Sequence, residues 1–106
     1  MSELGPVVDN VDDQKFELVI DGHTAFAAYQ RDGNAIVFTH TEVPPELQGQ
    51  GVGGALARRA LDAARAEGAE VIPLCPFIAS YIRRHPEYLV LVSEHNRRRL
   101  KLQATE

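Results

Sequence analysis

Tryptophan is absent and cysteine occurs once, at Cys75. A single thiol forms neither an internal disulfide nor a cysteine-cluster metal site, so Cys75 serves either packing or chemistry. The four histidines are scattered along the chain without ligand spacing, and no metal is expected. No 18-residue apolar run occurs, and no charged start leads into an apolar segment with a small-residue cleavage site. Membrane insertion and export therefore lack their signals, and the cytoplasm is the expected location. Positive charge is also in deficit, with 11 Lys and Arg against 15 Asp and Glu. A net charge of −4 gives no drive toward nucleic acid, whose affinity rests on basic side chains releasing phosphate counterions. With 106 residues there is room for one core, because two would each be marginal.

The chain divides by composition into an acidic lead-in at 1–13, a domain at 14–92 and a basic tail at 93–106. The lead-in reads as loose, with a short extended piece at Val7-Val8. Two β-rich runs, Phe16–Ile20 and Thr24–Tyr29, flank Asp21-Gly22, a strong two-residue hairpin signal because both turn positions need positive φ. A second Asp-Gly at Asp32-Gly33 introduces a third strand, Ala35–His40. Pairing must stop at Val43-Pro44-Pro45, since proline cannot donate to a ladder. Helical spacing then takes over, with Val52, Leu56, Ala60 and Ala64 on one row and Gly68 at the C-terminal cap. A fourth strand at Ala69–Cys75 follows. Pro76 then opens another helix running to about His85, which puts Cys75 at its N-cap. A helix between two strands of one sheet makes them parallel, so the sheet is mixed and the order is β-β-β-α-β-α. The tail, with Arg97, Arg98, Arg99 and Lys101, reads as a solvated helical or frayed end.

Between Gln48 and Gly54 stand four glycines at a helix start, where backbone N–H groups and the helix dipole together suit a pyrophosphate. Gly54-Ala55 stand where a nucleotide P-loop needs Lys and Ser or Thr, which excludes that loop. Gly49, Gly51 and Gly54 also spell G-x-G-x-x-G, but Pro44–Gln48 separate them from the preceding strand, so a dinucleotide fold is the weaker reading. The third pattern is Q-x-x-G-x-G over Gln48, Gly51 and Gly53. With His40–Pro44 before it and Cys75-Pro76-Phe77 to His85-Pro86-Glu87-Tyr88 after it, this resembles the small single-domain members of the GNAT acetyltransferase superfamily, over roughly Phe16 to Tyr88. The resemblance implies an α/β fold with a minimal GNAT-like mixed sheet, in which a splayed parallel pair of strands forms the cofactor cleft. It also implies acetyl-coenzyme A as co-substrate, an amine as acceptor and N-acetyl transfer as the activity. The cofactor residues it implies are Thr41, Glu42 and Val43 along the free strand, Gln48, Gly49, Gln50, Gly51, Val52, Gly53 and Gly54 in the loop, and Arg84.

For catalysis the candidates are Cys75, His40 and Tyr81. At a helix N-cap the dipole would lower the Cys75 thiol pKa, and the resembled group has its cysteine here. A lone cysteine ending a strand is otherwise a small buried hydrophobe. His40 continues the alternation of Ile36 and Phe38, which turns it toward their face and toward Cys75, where the two serve as base and thiol or bracket the thioester. Tyr81 falls within one residue of the place where the superfamily carries the acid that protonates the departing thiolate. Because Asp21-Gly22 joins its strands tightly and little follows Tyr88, the acceptor side is expected to be open. That favours a large or exposed acceptor, including a protein amine. It also keeps in play an acyl-coenzyme A-binding module without turnover. The oligomeric state is left open.

Overall fold

Asp21 and Gly22 take left-handed conformations (φ 52° and 80°), and this two-residue turn joins β2 (Lys15–Ile20) to β3 (His23–Asp32) in a computed structural model describing residues 5–102. A second tight turn leads into β4 (Ala35–Glu42), and helix α1 (Val52–Ala66) carries the chain to β5 (Glu70–Pro73). With β1 (Val8–Asn10) the five strands lie in sequence order in one sheet, antiparallel throughout except for the parallel pair β4–β5. Helix α2 (Pro76–Arg84) follows, then a 3-10 segment at Pro86–Leu91 and helix α3 (Glu94–Arg99). The fold is the expected minimal GNAT-like mixed sheet, with one edge strand and one helix beyond the expected order.

One face of the sheet makes the core. Phe16 and Leu18 of β2, Ala25, Ala27 and Tyr29 of β3, Ile36 and Phe38 of β4 and Val71 of β5 are buried against the apolar row Val52, Leu56, Ala60 and Ala64 of α1. Fully burying each of the larger side chains stabilises the fold by about 1.5–3 kcal/mol.

Two segments are more ordered than their composition implies. Val8–Asn10 pairs with β2, and Asp9 accepts a hydrogen bond from the Tyr29 hydroxyl at 2.7 Å, so part of the acidic lead-in is an edge strand. The basic tail is a helix with Arg98, Arg99 and Lys101 exposed, as one of the two expectations had it, but it is docked rather than frayed up to residue 102. Ser93 caps α3 by accepting from the Asn96 N–H, buried Asn96 donates to Glu70, and Leu102 is fully buried. Arg83 donates to the carbonyls of Leu100 and Lys101, closing the C-terminus of α3 with a cation where the helix dipole is negative.

The parallel pair runs only from Ala35 opposite Glu70 to Phe38 opposite Pro73. A last bond, Cys75 N–H to the Phe38 carbonyl at 2.9 Å, closes it. Beyond this point α2 begins and β4 continues alone on that side, so the splay between the strands opens past Phe38.

Candidate functional site

The register of β3 against β4 slips by one residue at the same place. Tyr29 opposes Phe38 and Ala28 opposes His40, which leaves Thr39 without an opposite number, its hydroxyl donating to the Ala28 carbonyl at 3.4 Å. Such a β-bulge reverses the alternation after it. Directly opposed residues share a face, so Thr41, opposite Ala27, turns to the core side, and His40, opposite Ala28, turns to the outer one. The expected alternation is thereby corrected: His40 does not follow Phe38 inward. Its side chain is 62% exposed, accompanied by Glu42 Oε1 at 3.2 Å from Nε2 and by the ring of Phe26. Thr41 meets the thiol instead, with Oγ1 3.3 Å from Cys75 Sγ. Cys75 does occupy the N-cap of α2, but it is only 2% exposed and its side chain makes no capping hydrogen bond.

Past Glu42 the loop is shaped by its own side chains. Gln48 donates to the Val43 carbonyl and Gln50 to the Glu46 carbonyl, so both glutamine amides hold the loop's backbone. Gly49 (φ 84°) and Gly51 (φ 77°) take left-handed conformations that cost an L-residue roughly 1–2 kcal/mol, and Gly51 is the N-cap of α1. Ala55 N–H is the first of α1 to find a partner inside the helix, on the Gly51 carbonyl. The N–H groups of Val52, Gly53 and Gly54 are therefore the orphan donors of the first turn. Gly53 is required for a different reason: a Cβ there would stand 2.7 Å from the Phe77 ring.

These parts enclose one cleft of about 690 Å³, within the usual range for ligand sites. Its walls are the unpaired end of β4 (Thr41, Glu42, Val43), the loop and helix start (Gln48, Gly49, Gly51, Val52, Gly53, Gly54), and Phe77, Tyr81 and Arg84 of α2. Leu47 forms part of the floor. Cys75, His40 and Gln50 lie outside the lining. Tyr81 stacks on His85 (4.1 Å between ring centres). Burial raises its phenol pKa, and the charges acting on it are those of Arg58, Asp62, Glu87 and Arg84. Six residues along α2, about 9 Å of helix rise, separate it from Cys75. Thus Thr41 and Cys75 are brought together, while His40 stands on the opposite face of the sheet and Tyr81 at the arginine end of the cleft.

Sequence reasoning overlooked Phe77 and Leu47. Phe77 was legible in principle, as the aromatic directly after the proline that starts α2. Leu47 sits in a 3-10 turn (Pro45–Leu47) whose apolar contact only the fold reveals. Among the described residues no three His, Cys, Asp or Glu side chains gather as a metal site, and no helix is long and apolar enough to cross a membrane.

The family model for GCN5-related N-acetyl-transferases matches residues 15–91. Among solved structures, a GCN5-like protein from Staphylococcus aureus, determined in solution by NMR, superposes with a TM-score of 0.63 at 28% identity. The match covers 86% of this chain and 87% of the other. No curated protein sequence matches the chain.

Proposed function

The chain belongs to the GCN5-related N-acetyltransferase family, and from that premise we propose that it moves an acetyl group from acetyl-coenzyme A to an amine carried on a large or exposed acceptor. One observation supports the reading above the others: a strand end with a free edge runs straight into a helix start with three orphan N–H groups, inside one cleft. The edge suits the amides of a pantetheine arm, which would continue the sheet, and the helix start suits the pyrophosphate. The donor set fits the coenzyme at both ends without any metal.

Acetyl-coenzyme A supplies an activated acetyl thioester. The chain's own residues then have three tasks. The β4 edge at Thr41–Val43 aligns the arm. Thr41 offers its hydroxyl inside the cleft with the Cys75 thiol 3.3 Å behind it, at the positive end of α2, a pair suited to protonating the departing thiolate. His40, with Nε2 toward Glu42, keeps Nδ1 for the proton that the acceptor nitrogen loses as its bond to the acetyl carbon forms and the carbon–sulfur bond breaks. The acceptor thus approaches from the outer sheet face, where His40 and Glu42 are exposed. A thiol only 2% exposed favours this direct route over a covalent acetyl-cysteine.

The reading is tested by adding coenzyme A or acetyl-coenzyme A to the folded protein. Ligand at 100 times its dissociation constant stabilises the native state by about 2.7 kcal/mol, a rise on the order of 10 °C in melting temperature. No shift at millimolar ligand would overturn the assignment. The open outer face also suits an acyl-coenzyme A-binding module. Consumption of acetyl-coenzyme A when amines are offered decides for the transferase, and retention without turnover for the module. Intact mass after incubation without acceptor separates the two chemical routes: stoichiometric acetylation at Cys75 would replace direct transfer with the covalent one.

A further inference from the structure

Beyond Gly54 the cleft continues into a depression of about 390 Å³ lined by Gly54, Ala55, Arg58, Arg59, Asp62 and Tyr81. Gly54 and Tyr81 belong to both cavities, so the two communicate. The direction of a bound coenzyme follows from the site itself: its arm lies along the β4 edge and its pyrophosphate at the start of α1, so its nucleotide end must leave past Gly54. Arg58 lies four residues after Gly54 and Arg59 four after Ala55, so each guanidinium projects from the same helical face one turn behind the small residue. Glycine and alanine at 54 and 55 leave the surface between the loop and the arginines low. Arg84, whose guanidinium lies 6.0 Å from the Tyr81 ring, stands across the opening.

Charge here runs against that of the whole chain. Along the two cavities three guanidinium groups stand against two carboxylates, Asp62 beside them and Glu42 at the far, β4 end, on a protein with a net charge of −4. Asp62 is already engaged by the Tyr88 hydroxyl at 2.7 Å and meets Arg58 only at 4.0 Å. Arg65, one turn further along α1, is spent on the Glu87 carbonyl and the Tyr88 ring, which ends the basic strip. Resting on the coenzyme reading, we infer that Arg58 and Arg59, with Arg84 opposite, form a subsite for the 3′-phosphate of the coenzyme's ribose. The protein then selects coenzyme A over its 3′-dephospho form.

Calorimetry with coenzyme A and 3′-dephospho-coenzyme A, on the wild type and on the double variant Arg58→Gln with Arg59→Gln, tests this. Both arginines are exposed, so the fold is retained. The wild type should bind coenzyme A at least tenfold more tightly, the scale of one charge-assisted phosphate contact. The double variant should lose that preference while binding the dephospho form as the wild type does. Equal wild-type affinities, or a preference that survives in the double variant, overturn the subsite and leave the coenzyme reading standing. Failure of the wild type to bind either form overturns both.

Discussion

The two halves of β4 have similar β-forming composition and live in different surroundings. From Ala35 to Phe38 the strand is paired on both edges, by β3 and β5, and Ile36 and Phe38 are buried in the core. From Thr39 to Glu42 it is paired on one edge only, and three of its four side chains are exposed. The closed half carries stability, and to the open half we assign the proposed chemistry. The boundary is made by three local events at one level of the sheet: a bulge at Thr39, a proline at 73 and a helix cap at Cys75.

The sharpest way to break that division is to exchange the halves' vulnerabilities. Phe38→Ala should cost about 3–5 kcal/mol, read by chemical denaturation, whereas Thr41→Ala should cost about 1 kcal/mol or less and show its effect in turnover. Equal costs would erase the distinction. Next in size, Gly51→Val should weaken coenzyme A binding about a hundredfold in calorimetry, because it distorts the N-cap whose neighbouring amides are proposed to hold the pyrophosphate, at roughly 1–2 kcal/mol of stability. Gly53→Val is a poorer probe, since its side chain would meet the Phe77 ring and disturb packing as well. In the open half, His40→Gln should reduce kcat roughly a hundredfold while leaving the melting temperature unchanged, the low end for general-base catalysis because water competes at an exposed imidazole.

The closed half has its own pH signature. Burial, with the hydrogen bond to Asp9 adding to it, pushes the Tyr29 phenol pKa from 10.0 up to about 12. The folded state therefore holds this proton more tightly than the unfolded chain. Its contribution, about 2 kcal/mol, is complete below pH 10 and is lost as the pH climbs through 12. Tyr88, raised to about 12 by burial and by its bond to Asp62, adds to the same loss. Tyr29→Phe should flatten the alkaline denaturation profile measured by circular dichroism. The smallest expected effect is Gly54→Ala. Its new Cβ would sit 3.8 Å from the Tyr81 ring, an ordinary contact, and the helix should gain up to about 1 kcal/mol while coenzyme A affinity changes severalfold at most.

Features set by neighbours in the chain were legible in the sequence: the Asp21-Gly22 turn, the apolar row of α1, the glycine loop and the N-cap at Cys75. Features set by distant partners were not. The edge strand depends on Tyr29 reaching Asp9 across twenty residues, and the docked tail on Asn96 reaching Glu70 across twenty-six. The bulge leaves no composition signal, because Thr39 is as good a strand residue as its neighbours. Counting alternate residues from Phe38 therefore sent His40 to the wrong face. The same slip hid the pairing of Thr41 with Cys75, which had been visible only as two separate candidates.

Thr39 acts on parity. A strand normally assigns odd and even positions to opposite faces along its whole length, and one supernumerary residue swaps that assignment for everything downstream while leaving everything upstream untouched. Were Thr39 paired regularly instead of bulged, His40 would return to the interior and Thr41 would be expelled, without altering any side chain; deleting Thr39 outright would leave both on their present faces. Sliding the slip by a single position would present a different residue to the outer face from an identical string of letters. The reactive surface of this sheet is thus tunable by phase as well as by substitution, and the buried half need not register the change.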